Sequence, residues 1–587
     1  MKKRLISFIS TLALALSMCS LISAETINAH AAKIDILLQQ KMNTTTTSEK
    51  IPIVIWLEDI DHDSILEQAK INTNYDETAS NKSVLSLQEL QFLDSIATSD
   101  VNQDITNYLN QTKEQRAADL QQTNSFILEK RNLSKSAYQT HNSKFVQELN
   151  LNNIEFISQY APLIICNASI NDIKNLIKND SVTNIYYHDD APVEDYLSSS
   201  LPTINGSYTR NVQGLTGDGV KIGQIEAGIP FTSHSDFSDS SITFPSTLSF
   251  SQNMHATWVA GILVGKNGMA PDAQLYSVGI NENSSFYTVT ETLLNSGVHV
   301  INMSAGWSTS TGTYDSIANW VDHIVHQHNV SFVAAAGNNG ASAYVSTPAL
   351  AYNCIAVGGI SDEQTTDVSN DVLYDNTSQK HLVCNKPEVY APAVLVSAAG
   401  YEDNGTSAAA PHVAGLIAQL IEAKPSIAAK PNLIKALVMV GGHDFNNRNT
   451  YNNTNSAESF YCAGVVDSLD SFNTVRNNRF TSGTLTNSYT KTITVSGTVN
   501  FIRIVLVWNK QVSSNNHTGT INSNIPLTDI NMALYDPNGN MVGYSASPSP
   551  FEIIHFPTTQ TGTYTLQIAK DEYSTTSESF AIAWQFV

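Results

Sequence analysis

Short apolar runs recur along the middle of the chain, at Val220–Ile225, Gln274–Ile280, His299–Met303, Val330–Ala335 and Cys354–Val357. They read as buried strands of a mostly parallel sheet with helices on both faces. Val413, Leu416, Ile417, Leu420 and Ile421 repeat at helical spacing and predict an apolar helix stripe. Gly405 frees the backbone for a sharp entry into that helix, and Thr406 or Ser407 suits its N-cap. Nearer the start, Ile51–Leu57 and Phe156–Ala168 each read as one strand, Asp172–Lys178 as a short helix and Val182–His188 as a closing strand. Residues from about 80 to 150 are rich in Gln and Asn and read as an inserted helical pair. After residue 476 the texture changes to short strands rich in Thr, Val, Ile and Tyr: Thr492–Val495, Phe501–Trp508, Asn531–Tyr535 and Gly562–Ile568.

Composition narrows the class. A chain of 587 residues exceeds one ordinary core, so three or four domains are expected. Hydrophobic residues at 42% and charged residues at 14% are globular values, and a net charge of −22 argues against nucleic acid or anionic membrane as a partner. Met1-Lys2-Lys3-Arg4 followed by the apolar run Leu5–Met18 predicts a secretory signal peptide, cleaved after Ala24 or Ala31. Met18 is a poor residue before a lipidated Cys19. No later run approaches the ~20 apolar residues of a membrane span, so secretion without a membrane anchor is expected. Cys354, Cys384 and Cys462 are an odd set that allows at most one bridge, and buried thiols are expected for Cys354 and Cys384.

The chemistry concentrates at Asn404–Gly415. A serine at a helix start, Ser407, sits among unpaired N–H groups and the positive end of the helix dipole, which stabilise a developing oxyanion. Such a nucleophile needs a base, and the base an orienting acid. His255 opens a second small-residue helix, Glu226 closes the strand that begins at Val220, and Asn338 follows the strand that begins at Val330. An ordinary capped core helix and a turn-forming Asn338 are the bland alternatives.

Gly405-Thr406-Ser407 with Ala409-Ala410-Pro411-His412-Val413-Ala414-Gly415 resembles the serine motif of the subtilisin-like (subtilase) serine peptidases. Ala335-Ala336-Gly337-Asn338 resembles their oxyanion-hole motif, and His255-x-Thr257-x-Val259-Ala260-Gly261 part of their histidine motif. The order acid, His, amide, Ser is also theirs. The resemblance implies an α/β fold with a subtilisin-like sheet, preceded by an α/β propeptide and followed by a C-terminal β-sandwich. It divides the chain into a signal peptide (1–31), a propeptide with helical insertion (32–197), a peptidase domain (198–475) and a β-sandwich domain (476–587). The acidic, Ser-rich stretch 189–200 would be the linker cut on maturation. The implied catalytic residues are Glu226, His255, Ser407 and Asn338. Ser304, Ala305 and Gly306 resemble the segment that pairs with extended substrate, and Ser346 lies where the primary specificity pocket is floored. The implied partners are protein or peptide substrates and the chain's own propeptide as intramolecular inhibitor. No cofactor is required and no catalytic metal site is expected; Asp236 resembles an aspartate that holds structural calcium in some relatives.

Three departures stand out. Glu226 replaces the family's Asp, which displaces the carboxylate by about 1.5 Å on an unchanged backbone, an error of a size that can cost about 10² in rate. Ala256 and Trp258 replace a Gly and a second His. Ala408 replaces the Met that commonly follows the nucleophile. These departures leave open a second class of reading, a subtilase fold kept as a binding or structural module.

Overall fold

The computed structural model describes residues 34–75 (except 35–37, 40, 43–44 and 46–49), 102–187 (except 150 and 152), 201–245, 250–280, 286–443 (except 364 and 366–369), 462–511 (except 498), 527–570 and 577–586. The expected signal peptide and the stretch 189–200 lie outside the described residues.

The N-terminal region is a four-stranded antiparallel sheet with helices. Its elements are β1 (Lys50–Leu57), α1 (His62–Thr73), α2 (Asn102–Glu148), β2 (Ile154–Ile157), β3 (Leu163–Ser169), α3 (Ile170–Leu176) and β4 (Val182–Tyr187), with strand order β2-β3-β1-β4. One expectation changes here. The run Phe156–Ala168 is two antiparallel strands, because Ser158 accepts the Tyr160 and Ala161 N–H groups on its hydroxyl and turns the chain ahead of Pro162. Of the helical pair expected within 80–150, residues 80–101 lie outside the described residues; from Asn102 the chain forms helix α2, which packs against α1.

A mostly parallel sheet follows, built from β5 (Lys221–Glu226), β6 (Ser241–Thr243), β7 (Gln274–Gly279), β8 (Val300–Met303), β9 (Ser331–Ala335), β10 (Ile355–Ser361), β11 (Val372–Leu373) and β12 (Val389–Pro392). The order is β11-β10-β9-β8-β5-β7-β6, with β12 paired to β10; only the β10–β11 pairing is antiparallel. Its helices are α4 (Gly206–Asn211), α5 (Met254–Val264), α6 (Phe286–Asn295), α7 (Ser316–His328), α8 (Thr406–Ala423), α9 (Pro431–Val440) and α10 (Ser468–Arg476); the hairpin β13 (Val396–Ala398)–β14 (Tyr401–Asp403) precedes α8. Because β9, β8 and β5 are neighbours, their carboxyl ends bring Asn338, Ser304 and Glu226 to one edge, where open α/β sheets form their sites. Helix α8 crosses β8, β9, β10 and β12, with Thr406 through Glu422 all buried.

Two antiparallel sheets complete the described chain: β15 (Phe480–Leu485), β22 (Glu578–Phe586), β17 (Phe501–Trp508) and β20 (Phe551–Pro557) in one, and β16 (Ser488–Val495), β21 (Gly562–Lys570), β18 (Ile530–Tyr535) and β19 (Met541–Ser545) in the other. Alternation along β17 divides its side chains between two cores. Ile504, Leu506 and Trp508 fill the sandwich, whereas Val505 and Val507 join the cluster that contains Leu433, Leu437 and Val440 of α9. The described cysteines Cys166, Cys354, Cys384 and Cys462 are all buried, and no disulfide links them to one another.

Candidate active site

Glu226 ends β5 and is fully buried; His255 lies in the first turn of α5, after Met254. The helix start is fixed by the Asn253 side chain, which accepts the Ala256 N–H at 3.1 Å, and by Gln224, whose amide donates to the Ala256 carbonyl at 3.0 Å. Gly228 allows the 226–229 loop to run against residues 251–253, since a Cβ there would stand 2.5 Å from the Ser251 carbonyl oxygen. The result is a short contact: His255 Nδ1–H donates to Glu226 Oε2 at 2.7 Å. The second oxygen, Oε1, is buried and takes no hydrogen bond from the described residues. Trp258 packs beside the imidazole, ring centroids 5.6 Å apart, and its indole N–H donates to the Val396 carbonyl at 3.2 Å.

Ser407 lies one residue inside α8. The cap position belongs to Gly405, without a side-chain cap bond, which corrects the expected role of Thr406 or Ser407. Thr406 has another task. Its hydroxyl accepts the Gly337 N–H at 3.1 Å and donates to Asn338 Oδ1 at 3.1 Å, and its own N–H donates to the same oxygen at 2.8 Å. An amide oxygen so occupied turns the amide nitrogen of Asn338 toward the Gly405 side of the loop, where a Cβ at Gly405 would approach Nδ2 to 3.1 Å. The Ser407 hydroxyl donates to the Ser304 carbonyl at 2.8 Å, and the Ser304 hydroxyl donates back to the Ser407 carbonyl at 2.8 Å.

The remaining predicted positions gather around this centre. Gly306 runs beside Thr347, and Trp307 and Thr347 exchange backbone hydrogen bonds at 2.9 and 3.0 Å. Ser346 donates its N–H to the Ala336 carbonyl at 2.8 Å, and its hydroxyl would stand 2.4 Å from a Cβ at Gly337. Ser304, Ala305, Gly306 and Ser346 therefore flank the Gly337–Asn338 and Thr406–Ser407 segments. Asp236 sits apart, on a short turn with its carboxylate against Gly265, and belongs to neither cluster of metal-ligating side chains found among the described residues. The bridging part played by Thr406 was missed in sequence; a hydroxyl between a glycine and the serine was its only sign.

Residues 204–459 match the model of the subtilase family. Subtilisin BL of Lederbergia lenta is 33% identical over 231 residues, which cover 36% of this chain and 80% of that protein. The chain belongs to the subtilase family. Subtilisin E of Bacillus subtilis (strain 168) is 30% identical over 276 residues, 43% of this chain and 69% of that protein. M-protease of Shouchella clausii (strain KSM-K16) is 29% identical over 318 residues, 48% of this chain and 79% of that protein. Among solved structures, fervidolysin from Fervidobacterium pennivorans, a keratinolytic enzyme related to subtilisin, is 18% identical with a TM-score of 0.44, covering 73% of this chain and 69% of that one. This subtilase is a serine-type endopeptidase, a hydrolase of peptide bonds in proteins that needs no cofactor for catalysis. No helix of its described residues is long and apolar enough to cross a membrane.

Proposed function

We propose that this subtilase is a secreted endopeptidase made as a zymogen, with Ser407 as nucleophile, His255 as base and Glu226 as the acid that orients it. The observation that carries the reading is the 2.7 Å bond from His255 Nδ1–H to the fully buried Glu226. A carboxylate so placed holds the proton on Nδ1, leaves Nε2 as the basic nitrogen and stabilises the imidazolium formed during attack. The longer side chain of Glu thereby serves where relatives use Asp.

The resting hydroxyl of Ser407 gives its proton to the Ser304 carbonyl. Attack requires that proton to pass to His255 Nε2. An extended substrate pairing along 304–306 offers its own N–H to the Ser304 carbonyl and so competes for this acceptor, releasing the hydroxyl as substrate seats. Ser407 Oγ then attacks the scissile carbonyl, the Ser407 N–H and the Asn338 amide hold the oxyanion, and His255 returns the proton to the leaving amine. Water repeats the sequence on the acyl-enzyme.

Residues 32–197 act as the propeptide and intramolecular inhibitor, residues 198–475 as the peptidase domain and residues 476–587 as a β-sandwich domain, after removal of a signal peptide within 1–31. The contacts of the N-terminal region support this division. Glu291 on α6 accepts the Ser158 hydroxyl at 2.7 Å and the Gln159 N–H at 2.8 Å. Arg131 on α2 donates to the carbonyls of His328, Leu294 and Val298 at 2.9, 3.3 and 3.0 Å, at the C-terminal ends of α7 and α6. A guanidinium there supplies donors to carbonyls that a helix end leaves unpaired.

The test is labelling of the secreted protein with a fluorophosphonate probe beside a Ser407→Ala control, with the N-terminus read on the same gel. Labelling and processing in the wild type alone are expected. A folded wild type that neither labels nor processes would instead favour an inert subtilase fold acting as a binding module.

A further inference from the structure

Where the N-terminal region meets α7, four side chains converge that take no part in the chemistry above. Asp59 and His62 come from the entry to α1, Tyr138 from α2 and His323 from α7. Their metal-ligating atoms, Asp59, His62 and His323, all lie within 4.8 Å of one another. Asp59 Oδ1 is 3.2 Å from His62 Nε2, and Asp59 Oδ2 is 3.8 Å from His323 Nδ1. The Tyr138 hydroxyl stands among them, 2.5 Å from Asp59 Oδ1, 3.0 Å from His62 Nε2 and 3.1 Å from His323 Nε2.

The tautomer of His323 decides what the group can do. Its Nε2 lies 3.0 Å from the Tyr160 carbonyl, which can only accept, so Nε2 carries the hydrogen and Nδ1 the lone pair. That Nδ1 is fully buried, has no hydrogen-bond partner and faces Asp59. A neutral imidazole anchored through its far N–H on a backbone carbonyl, with its lone pair aimed at a carboxylate, is the outer-shell arrangement that orients metal-bound histidine. A hydrogen-bond cluster alone gives no reason for the orphaned nitrogen.

We propose that Asp59, His62 and His323 bind one divalent transition cation of the zinc type, with water free to complete the coordination. Two imidazoles and a carboxylate are a borderline donor set that suits zinc rather than calcium or magnesium. The 3.2 Å separation of Asp59 Oδ1 and His62 Nε2 matches two corners of a tetrahedron around an ion held at about 2.0–2.2 Å. The buried Lys130 ammonium is engaged with Asn329 Oδ1 at 3.2 Å. Since His323 belongs to the sheet-bearing part of the chain and the other donors to the N-terminal region, the ion staples one to the other. Binding stands on these residues alone; the further consequence, that the ion delays release of the N-terminal region after cleavage, rests on the propeptide reading.

The full-length Ser407→Ala chain, stripped with chelator, is titrated with Co²⁺ and then Zn²⁺. One equivalent of Co²⁺ is expected to give tetrahedral d–d absorption that Zn²⁺ displaces, with a Zn²⁺ dissociation constant below about 1 μM. His62→Gln and Asp59→Asn, each checked for folding by circular dichroism, are expected to weaken binding by more than about tenfold, the lower end of what losing an outer-shell partner costs. Absence of saturable one-to-one binding, or binding that persists unchanged in whichever variants fold, overturns the proposal. Processing of the chain with Ser407 intact is read separately. An unprocessed wild type whose Ser407→Ala form still binds Co²⁺ would overturn the propeptide reading and leave the metal site standing.

Discussion

Ser407 and Ser304 are joined by two hydrogen bonds of 2.8 Å, each hydroxyl donating to the other residue's backbone carbonyl. The pair ties the first turn of α8 to the end of β8 and so sets the height of Ser407, the proposed nucleophile, above the sheet. Ser304→Ala keeps the carbonyl but removes the donor to the Ser407 carbonyl. A net loss of about 1 kcal/mol from one such bond predicts a fall in kcat of about fivefold with KM little changed. Steady-state kinetics on a peptide substrate decide it; an unchanged kcat would mean that the return bond does not position Ser407.

Glu226 reaches His255 with a side chain one methylene longer than Asp. Glu226→Asp is therefore expected to open a gap at Nδ1 and lower kcat/KM by about 10², the cost of an ångström-scale misplacement. Glu226→Gln removes the charge and is expected to cost about 10⁴, as loss of the acid does in other Ser–His–Asp sites. An Asp variant faster than wild type would show that the surrounding helix start had not adapted to Glu.

Glu388 is fully buried between two lysines, with Oε1 at 2.7 Å from both Lys386 Nζ and Lys435 Nζ, while Oε2 accepts the Ala356 N–H at 2.9 Å. Glu388→Gln leaves two buried ammonium groups without a counter-charge. A destabilisation of about 3–5 kcal/mol is expected, measured by denaturant unfolding in the Ser407→Ala background. A loss under about 1 kcal/mol would show that the backbone carbonyls around the lysines suffice.

Burial pushes the Glu291 carboxyl up to about 7, against the opposing pull of the bonds from Ser158 and Gln159. A carboxyl raised in the docked state contributes stability that is complete below its free value near 4.5 and is lost as pH rises through 7. Melts of the Ser407→Ala chain are expected to show the N-terminal region loosening between pH 5 and pH 8. Glu291→Gln, which still accepts both bonds, should flatten that dependence. A slope that persists in the variant would assign the effect to other groups.

Ala408, fully buried next to Ser407, the proposed nucleophile, offers peroxide no thioether to oxidise. Activity is expected to survive peroxide, and Ala408→Met to make it sensitive. Rapid inactivation of the native enzyme would refute this.

Strands β5, β7, β8, β9 and β10 and helix α8 were legible because each is a contiguous apolar or periodic stretch, whereas β6 is three residues, Ser241–Thr243, without an apolar run. Ser407, His255 and Asn338 stood out as candidates for a related reason, since each stands at an element's end beside small residues. What escaped reading depends on distant pairing. Nothing near Arg131 announces the carbonyls of His328 and Val298, and nothing near Glu388 announces Lys435. The turn at Ser158–Pro162 was hidden because apolar residues lie on both sides of it, although Pro162 marked the place where a strand's hydrogen bonding fails.

The division of β17 between two cores has a thermodynamic consequence. Val505 and Val507 share a core with Leu433 and Leu437, while Ile504 and Trp508 share one with Leu534 and Trp584, so neither core can lose this strand alone. Unfolding the C-terminal sheets strips the cover from α9, and loosening α9 exposes the outer face of those sheets. The two units are thus coupled into one cooperative transition, and the β-sandwich acts as a wall of the catalytic core rather than as cargo carried behind it.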